Sequence, residues 1–152
     1  MIEPGSLAPG FALRDQDGNA VSLSDFAGRK LVIVFYPGDF SAVCSDQLGL
    51  YQEVLGEIEA AGAALVGISV DSTDSHRAFR ERLGLTMPLL ADFHPKGEVC
   101  RAYGTYSEEY GKSGRALVLI DESGVVRWVH DSPPLEVPGA NLIFDALAAT
   151  GG

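Results

Sequence analysis

The stretch Lys30-Leu-Val-Ile-Val-Phe-Tyr36-Pro-Gly-Asp-Phe-Ser-Ala-Val-Cys44 decides the fold. Its first half is a continuous β-branched and aromatic run, the pattern of a strand covered on both faces. Pro37-Gly38 breaks that run. From Ala42 to Ala61 the apolar residues Leu48, Tyr51, Leu55 and Ile58 then recur at helical spacing, with Glu53, Glu57 and Glu59 on other faces. A buried strand therefore feeds a long helix, and Cys44 falls in the first turn of that helix. Unpaired backbone N–H groups and the positive end of the helix dipole favour an anion there, and a thiolate is the anion this sequence offers.

Downstream, Ala64–Val70 repeats the buried-strand pattern, and Asp71 to Asp74 supplies caps for a helix carrying Phe79 and Leu83. Pro88–Ala91 is a short strand and Pro95–Tyr103 a short helix. Arg115–Asp121 and Val125–His130 form a hairpin across Glu122-Ser-Gly124, and Gly139–Thr150 a final helix. Upstream, Phe11–Leu23 reads as two short strands around Asp17-Gly18. Alternating units followed by a hairpin and a helix predict an α/β sandwich with a mixed central sheet. Flavodoxin-like folds begin similarly, but the closing antiparallel hairpin fits a thioredoxin-like fold, with 11–23 as an N-terminal β-hairpin extension.

The chain has 152 residues, 46% of them hydrophobic and 21% charged, which suits one globular domain over 1–152. A formal charge of −10 with eleven scattered Lys and Arg residues argues against nucleic acid and anionic membrane surfaces as partners. The start, MIEPGSLAPG, has no basic segment leading an apolar one, and no run is long enough to cross a bilayer. A cytoplasmic protein is expected. The DQDGN loop at 15–19 departs from a calcium loop at Ala20 and Phe26. His76, His94 and His130 show no ligand spacing, so surface or capping roles are expected of them. No P-loop, GxGxxG or HExxH pattern occurs, and no cofactor or metal is expected.

Two cysteines, Cys44 and Cys100, make neither a CxxC pair nor a secreted disulfide framework. Free cysteine is commonly a small buried hydrophobe. For Cys44, the strand-to-helix junction, the Pro37-Gly38 turn and the Ser41 hydroxyl favour reactivity instead. Pro37-Gly-Asp-Phe-Ser41-Ala-Val-Cys44 resembles the Pro-x-x-x-Thr/Ser-x-x-Cys signature of peroxiredoxins, thiol peroxidases on a thioredoxin-like fold. GSLAPGFAL, GISVDSTDSHRAF, LLADFHPKGEVCRAYG and RALVLIDESGVVRWVH are similar to the same family, so the likeness covers nearly the whole chain. It points to the bacterioferritin comigratory protein/PrxQ and AhpE-like group, with DSPPLEVPGANLIFDALAA leaning to the AhpE-like side.

The resemblance implies reduction of hydrogen peroxide or organic hydroperoxides through a Cys44 sulfenic acid. It implies Arg115 as the cation orienting peroxide and thiolate, and Pro37 as a shield. Raising the thiolate fraction alone yields about tenfold to thirtyfold in rate. Prearranged donors must supply the rest, and Ser41, the helix-start amides and Arg115 are the candidates. Many relatives carry Glu where this chain has Gln47. The sulfenic acid needs a thiol to reset it. The downstream position used by PrxQ-type relatives is Gly49, and Asp74–Leu83 has no cysteine. Cys100 is thus a possible resolving residue or a core cysteine beside Val99. An external thiol, thioredoxin-like, mycoredoxin-like or of low molecular weight, is the expected reductant, and a monomer or homodimer the expected assembly. A redox relay without sustained turnover, and a binding module with inert cysteines, are the alternatives.

Overall fold

A computed structural model describes residues 1–150. The strands are β1 (Ala12–Arg14), β2 (Ala20–Ser22), β3 (Lys30–Phe35), β4 (Ala63–Ser69), β5 (Leu89–Ala91), β6 (Tyr106–Ser107), β7 (Lys112–Ser113), β8 (Arg115–Ile120) and β9 (Val126–Ser132). The helices are α1 (Ala42–Glu53), α2 (Leu55–Ala60), α3 (Thr73–Leu83), α4 (Glu98–Tyr103) and α5 (Ala140–Thr150). Seven strands form one mixed sheet in the order β2-β1-β5-β4-β3-β8-β9. The core strands β3, β4 and β5 are parallel, while β8 runs antiparallel to β3.

β3 is buried along its whole length and feeds both faces of the sheet. Val32 and Val34, with Tyr36 just beyond the strand, pack with Leu48 and Tyr51 of α1, Phe79 of α3 and Ile143 of α5. Leu31, Ile33 and Phe35 pack on the opposite side with Val99, Cys100 and Tyr103 of α4. The period-two alternation of a strand places neighbouring residues in separate layers, which explains the unbroken apolar run.

Three details refine the sequence-based expectations. The helix expected over 42–61 breaks at Val54, whose backbone (φ −110°, ψ 11°) leaves the helical region; α2 then lays Leu55 and Ile58 into the core with Leu65 of β4. The 11–23 hairpin extends the central sheet, with Arg14 pairing with Ala91. A small hairpin, β6-β7, occupies the stretch before β8.

The register decides where the site forms. Phe35 pairs with Ile68 on one side and Ala116 on the other, and Ser69 pairs with Ala91. The carboxyl ends of β3, β4 and β5 and the start of β8 therefore share one edge, the usual location of sites in open α/β sheets.

Candidate active site

Ser41 caps α1, and its Oγ accepts a hydrogen bond from the Cys44 N–H at 3.1 Å. A Ser cap of this kind satisfies one of the amides left open at a helix start. That amide is thus engaged, while the Ser41 hydroxyl proton stays available to a ligand. The preceding residue, Phe40, holds φ at 65°, a left-handed conformation rare for a bulky side chain and costing about 1–3 kcal/mol. Its ring rests edge-on against Phe79, centroids 5.2 Å apart.

Arg115 stands beside the end of β3 because of the β3-β8 register, and it is only 2% exposed. Its Nη2 lies 3.3 Å from Cys44 Sγ and 2.9 Å from the Pro134 carbonyl, and its Nε donates to the same carbonyl at 3.1 Å. Nη1 donates to Gln47 Oε1. Gln47 Nε2 in turn donates to the Tyr51 hydroxyl at 3.2 Å, and that hydroxyl donates to Pro138 O at 2.6 Å. Burial pushes the Tyr51 hydroxyl up to about 12, so it remains a donor across the neutral range.

Apart from the sulfur, every partner of this guanidinium is uncharged. Among the described residues, no salt bridge includes Arg115. A buried charge without a countercharge is strongly unfavourable, and the Cys44 sulfur is the one direct partner of this guanidinium whose chemistry allows a negative charge. Gln47, being neutral, leaves the guanidinium's charge directed at the sulfur.

Cys44 is itself fully buried. Over it lies a groove of about 760 Å³, whose walls include Pro37, Ser41, Val43, Tyr110, Arg115 and Leu135. Four of the residues singled out from sequence, Pro37, Ser41, Cys44 and Arg115, therefore converge. The fifth does not. Cys100 lies in the core layer across the sheet from Cys44, beneath Asp92, whose carboxylate accepts from the Val99 and Cys100 amides at 3.1 and 2.8 Å. Burial, then the Asp92 charge, pushes the Cys100 thiol up to about 12.

Sequence reasoning noted Gln47 only as a departure. The helical spacing of Cys44, Gln47 and Tyr51 places them along one side of α1, a signal that could have grouped them. Pro134 carried no such signal, since it contributes only a carbonyl. The surface or capping role expected of His76 is wrong: it is 0% exposed and engages Asp39 Oδ2 and Leu90 O at 2.8 and 3.0 Å. His94 is exposed, and His130 stacks on Trp128 at 6.0 Å.

Residues 4–129 match the model of the AhpC/TSA family. Alkyl hydroperoxide reductase E of Mycobacterium tuberculosis is 37% identical over 150 residues, 98% of each chain. Among solved structures, Xanthomonas campestris peroxiredoxin Q superposes with a TM-score of 0.84 at 30% identity, covering 93% of this chain and 92% of that one. Enterococcus faecalis AhpC reaches 0.91 at 26% identity, covering 99% and 93%. The Mycobacterium relative agrees with the AhpE-like leaning of the C-terminal segment, and the neighbours agree on the thioredoxin-like sandwich. With a family model spanning most of its length and a relative matching it almost end to end, the chain belongs to the AhpC/TSA family and is a peroxiredoxin, a thiol-dependent peroxidase.

Proposed function

We propose that Cys44 is the peroxidatic nucleophile, that Arg115 and Ser41 are its donors, and that Pro37 screens it, the whole chain acting as one domain. The Cys44 thiolate attacks one peroxide oxygen and the O–O bond breaks. The sulfur becomes a sulfenic acid that keeps the peroxide's own proton, and the second oxygen departs as alkoxide or hydroxide, which takes a proton from solvent to give alcohol or water. The contact between Arg115 Nη2 and Cys44 Sγ at 3.3 Å carries this reading, because a rigid guanidinium fork can hold the sulfur and still face the departing oxygen.

The groove favours an organic hydroperoxide. Val43, Tyr110, Pro134 and Leu135 line it, and Leu135 and Tyr110 are 84% and 66% exposed, so an apolar tail gains burial on binding. Leu135→Ser should raise KM for a hydroperoxide with an apolar tail while leaving hydrogen peroxide reduction within twofold. An equal effect on both substrates would remove this specificity.

We propose further that an external thiol resets the enzyme in the cytoplasm. The thiol sulfur condenses with the sulfenic acid, water leaves, and a second thiol reduces the mixed disulfide. A thioredoxin-like or mycoredoxin-like protein or a small thiol suits this role, and a monomer or homodimer suffices. The central sheet between Cys44 and Cys100 opposes a direct bridge, which needs Cα atoms within about 7 Å. Intact mass after one equivalent of peroxide tests the cycle. Gain of one oxygen supports it, whereas loss of two hydrogens in wild type but not in Cys100→Ser overturns it.

A further inference from the structure

The loop from Pro37 to Ser41 must hold a strained residue, and its anchor lies beneath it rather than in the groove. Asp39, immediately before Phe40, has a side chain 1% exposed. Its Oδ1 accepts from the Tyr36 hydroxyl at 2.7 Å, and its Oδ2 accepts from Ser75 Oγ at 2.8 Å. Its backbone N–H donates to Asp71 Oδ2 at 2.8 Å, an oxygen that also accepts from Ser69 Oγ at 2.6 Å. Burial, with Asp39 adding to it, holds the Tyr36 hydroxyl well above its ordinary range, so it stays a donor.

His76 completes this anchor. Its Nε2 is 3.0 Å from the Leu90 carbonyl, which only accepts, so Nε2 carries a hydrogen. Its Nδ1 is 2.8 Å from Asp39 Oδ2. A bare nitrogen lone pair opposed to a carboxylate oxygen at that distance would be repulsive, so a proton lies between them. The groups facing the ring are Asp39 from the loop, Asp71 after β4, Tyr36 after β3 and the Leu90 carbonyl of β5. Asp39, Asp71 and His76 also have one ligand atom each within 4.8 Å of one another, a spacing that suits a cation. The oxygens are already engaged by Ser69, Ser75 and the Asp39 amide, which favours a proton-held pair.

We propose that His76 is a positioning residue for the peroxidase reaction: through a proton shared with Asp39 it clamps the loop in the strained conformation that sets Ser41 and Pro37 over Cys44. It touches neither peroxide nor sulfur, and it rests on the reading of Cys44 as the nucleophile. The clamp joins Tyr36 after β3, Asp71 beyond β4, Leu90 of β5 and α3 to one loop, so its loss releases the segment that carries the cap of α1.

The test measures peroxide reduction in wild type, His76→Asn, His76→Leu and Tyr36→Phe, together with proton NMR of the imidazole. His76→Leu should slow peroxide reduction about thirtyfold or more. His76→Asn, which keeps a donor toward Asp39, should recover most of that loss. A strongly downfield proton should appear at neutral pH in wild type and vanish in His76→Leu. His76→Leu and Ser41→Ala should combine less than additively in rate, since both act on one loop. Should His76→Leu fail to fold, Tyr36→Phe removes one tether without orphaning a charge and should slow the reaction severalfold. A melting temperature that falls while the rates stay at wild-type values would overturn the proposal, as would additive rate effects or absence of the downfield proton. Loss of wild-type activity on dialysis against a chelator would replace the shared proton with a metal. A Cys44→Ser variant that still consumes peroxide and retains the downfield proton would sink the reading of Cys44 as the nucleophile and leave the His76–Asp39 clamp standing.

Discussion

Cys44 and Cys100 are equally hidden from solvent, each 0% exposed, yet their electrical surroundings are opposite. Cys44 lies in the first turn of a twelve-residue helix, against a guanidinium whose other partners are all neutral. Cys100 sits in the other core layer, among hydrocarbon and beside the carboxylate of Asp92. Burial raises the energy of a thiolate in both places, and both cysteines are the third residue of their helix, but only Cys44 has a compensating cation beside it. Depth below the surface is therefore a poor guide to cysteine reactivity; the sign of the nearest charge is the better one.

The widest separation between the two sites should appear in turnover. Cys44→Ser should abolish peroxide consumption, a loss of at least about 10⁴-fold for removal of a nucleophile, while Cys100→Ser should retain the wild-type rate within twofold. Residual turnover in the first variant, or a collapse in the second, would reverse the assignment.

Arg115→Lys comes next. It keeps the positive charge but discards the fork that joins Cys44, Gln47 and Pro134. The expected loss in peroxide reduction is about a hundredfold to a thousandfold, comparable to removing one aimed donor elsewhere. A loss below tenfold would mean that charge alone separates the two cysteines.

Gln47→Glu sharpens the same point with almost no change in shape. A carboxylate facing Arg115 competes with the sulfur for its charge, so alkylation of Cys44 at pH 7 should slow by about tenfold, or roughly 1.4 kcal/mol. An unchanged rate would show that the neutral partner is incidental.

The smallest effect concerns Cys100 and alkaline pH. Its native thiol is held up to about 12, whereas an unfolded cysteine ionises near about 8.5. Between those values the unfolded chain has released a proton that the native state still holds, so native stability falls as pH rises. Below that window the contribution is fully present. Cys100→Ala should make the decline shallower in urea melts between about pH 8.5 and 11, leaving a residue of slope from Tyr51, which is also held up to about 12. An unchanged slope would remove Cys100 from the linkage.

Local sequence carried the strand-breaker-helix transition, because an apolar run, Pro-Gly and helical spacing are all properties of neighbouring residues. It thereby placed Cys44 at a helix start, and resemblance to a family supplied Arg115. The Val54 break was not legible, since nothing in the sequence there outweighs the helical spacing on either side, and packing of Leu55 and Ile58 with β4 accompanies the change of direction. His76 was misplaced for a related reason: its partners Asp39 and Leu90 come from separate elements and meet only when β3, β5 and α3 are assembled.

By itself, then, the sequence determined which residues can ionise, donate or break a strand, and the short-range order in which they arrive. Only the tertiary structure decided that Arg115 faces Cys44, that a sheet divides Cys44 from Cys100, and that a buried histidine underlies the loop before Ser41. Those outcomes depend on strand register and on which side of the sheet each helix covers, and both are set by contacts between residues far apart in the chain.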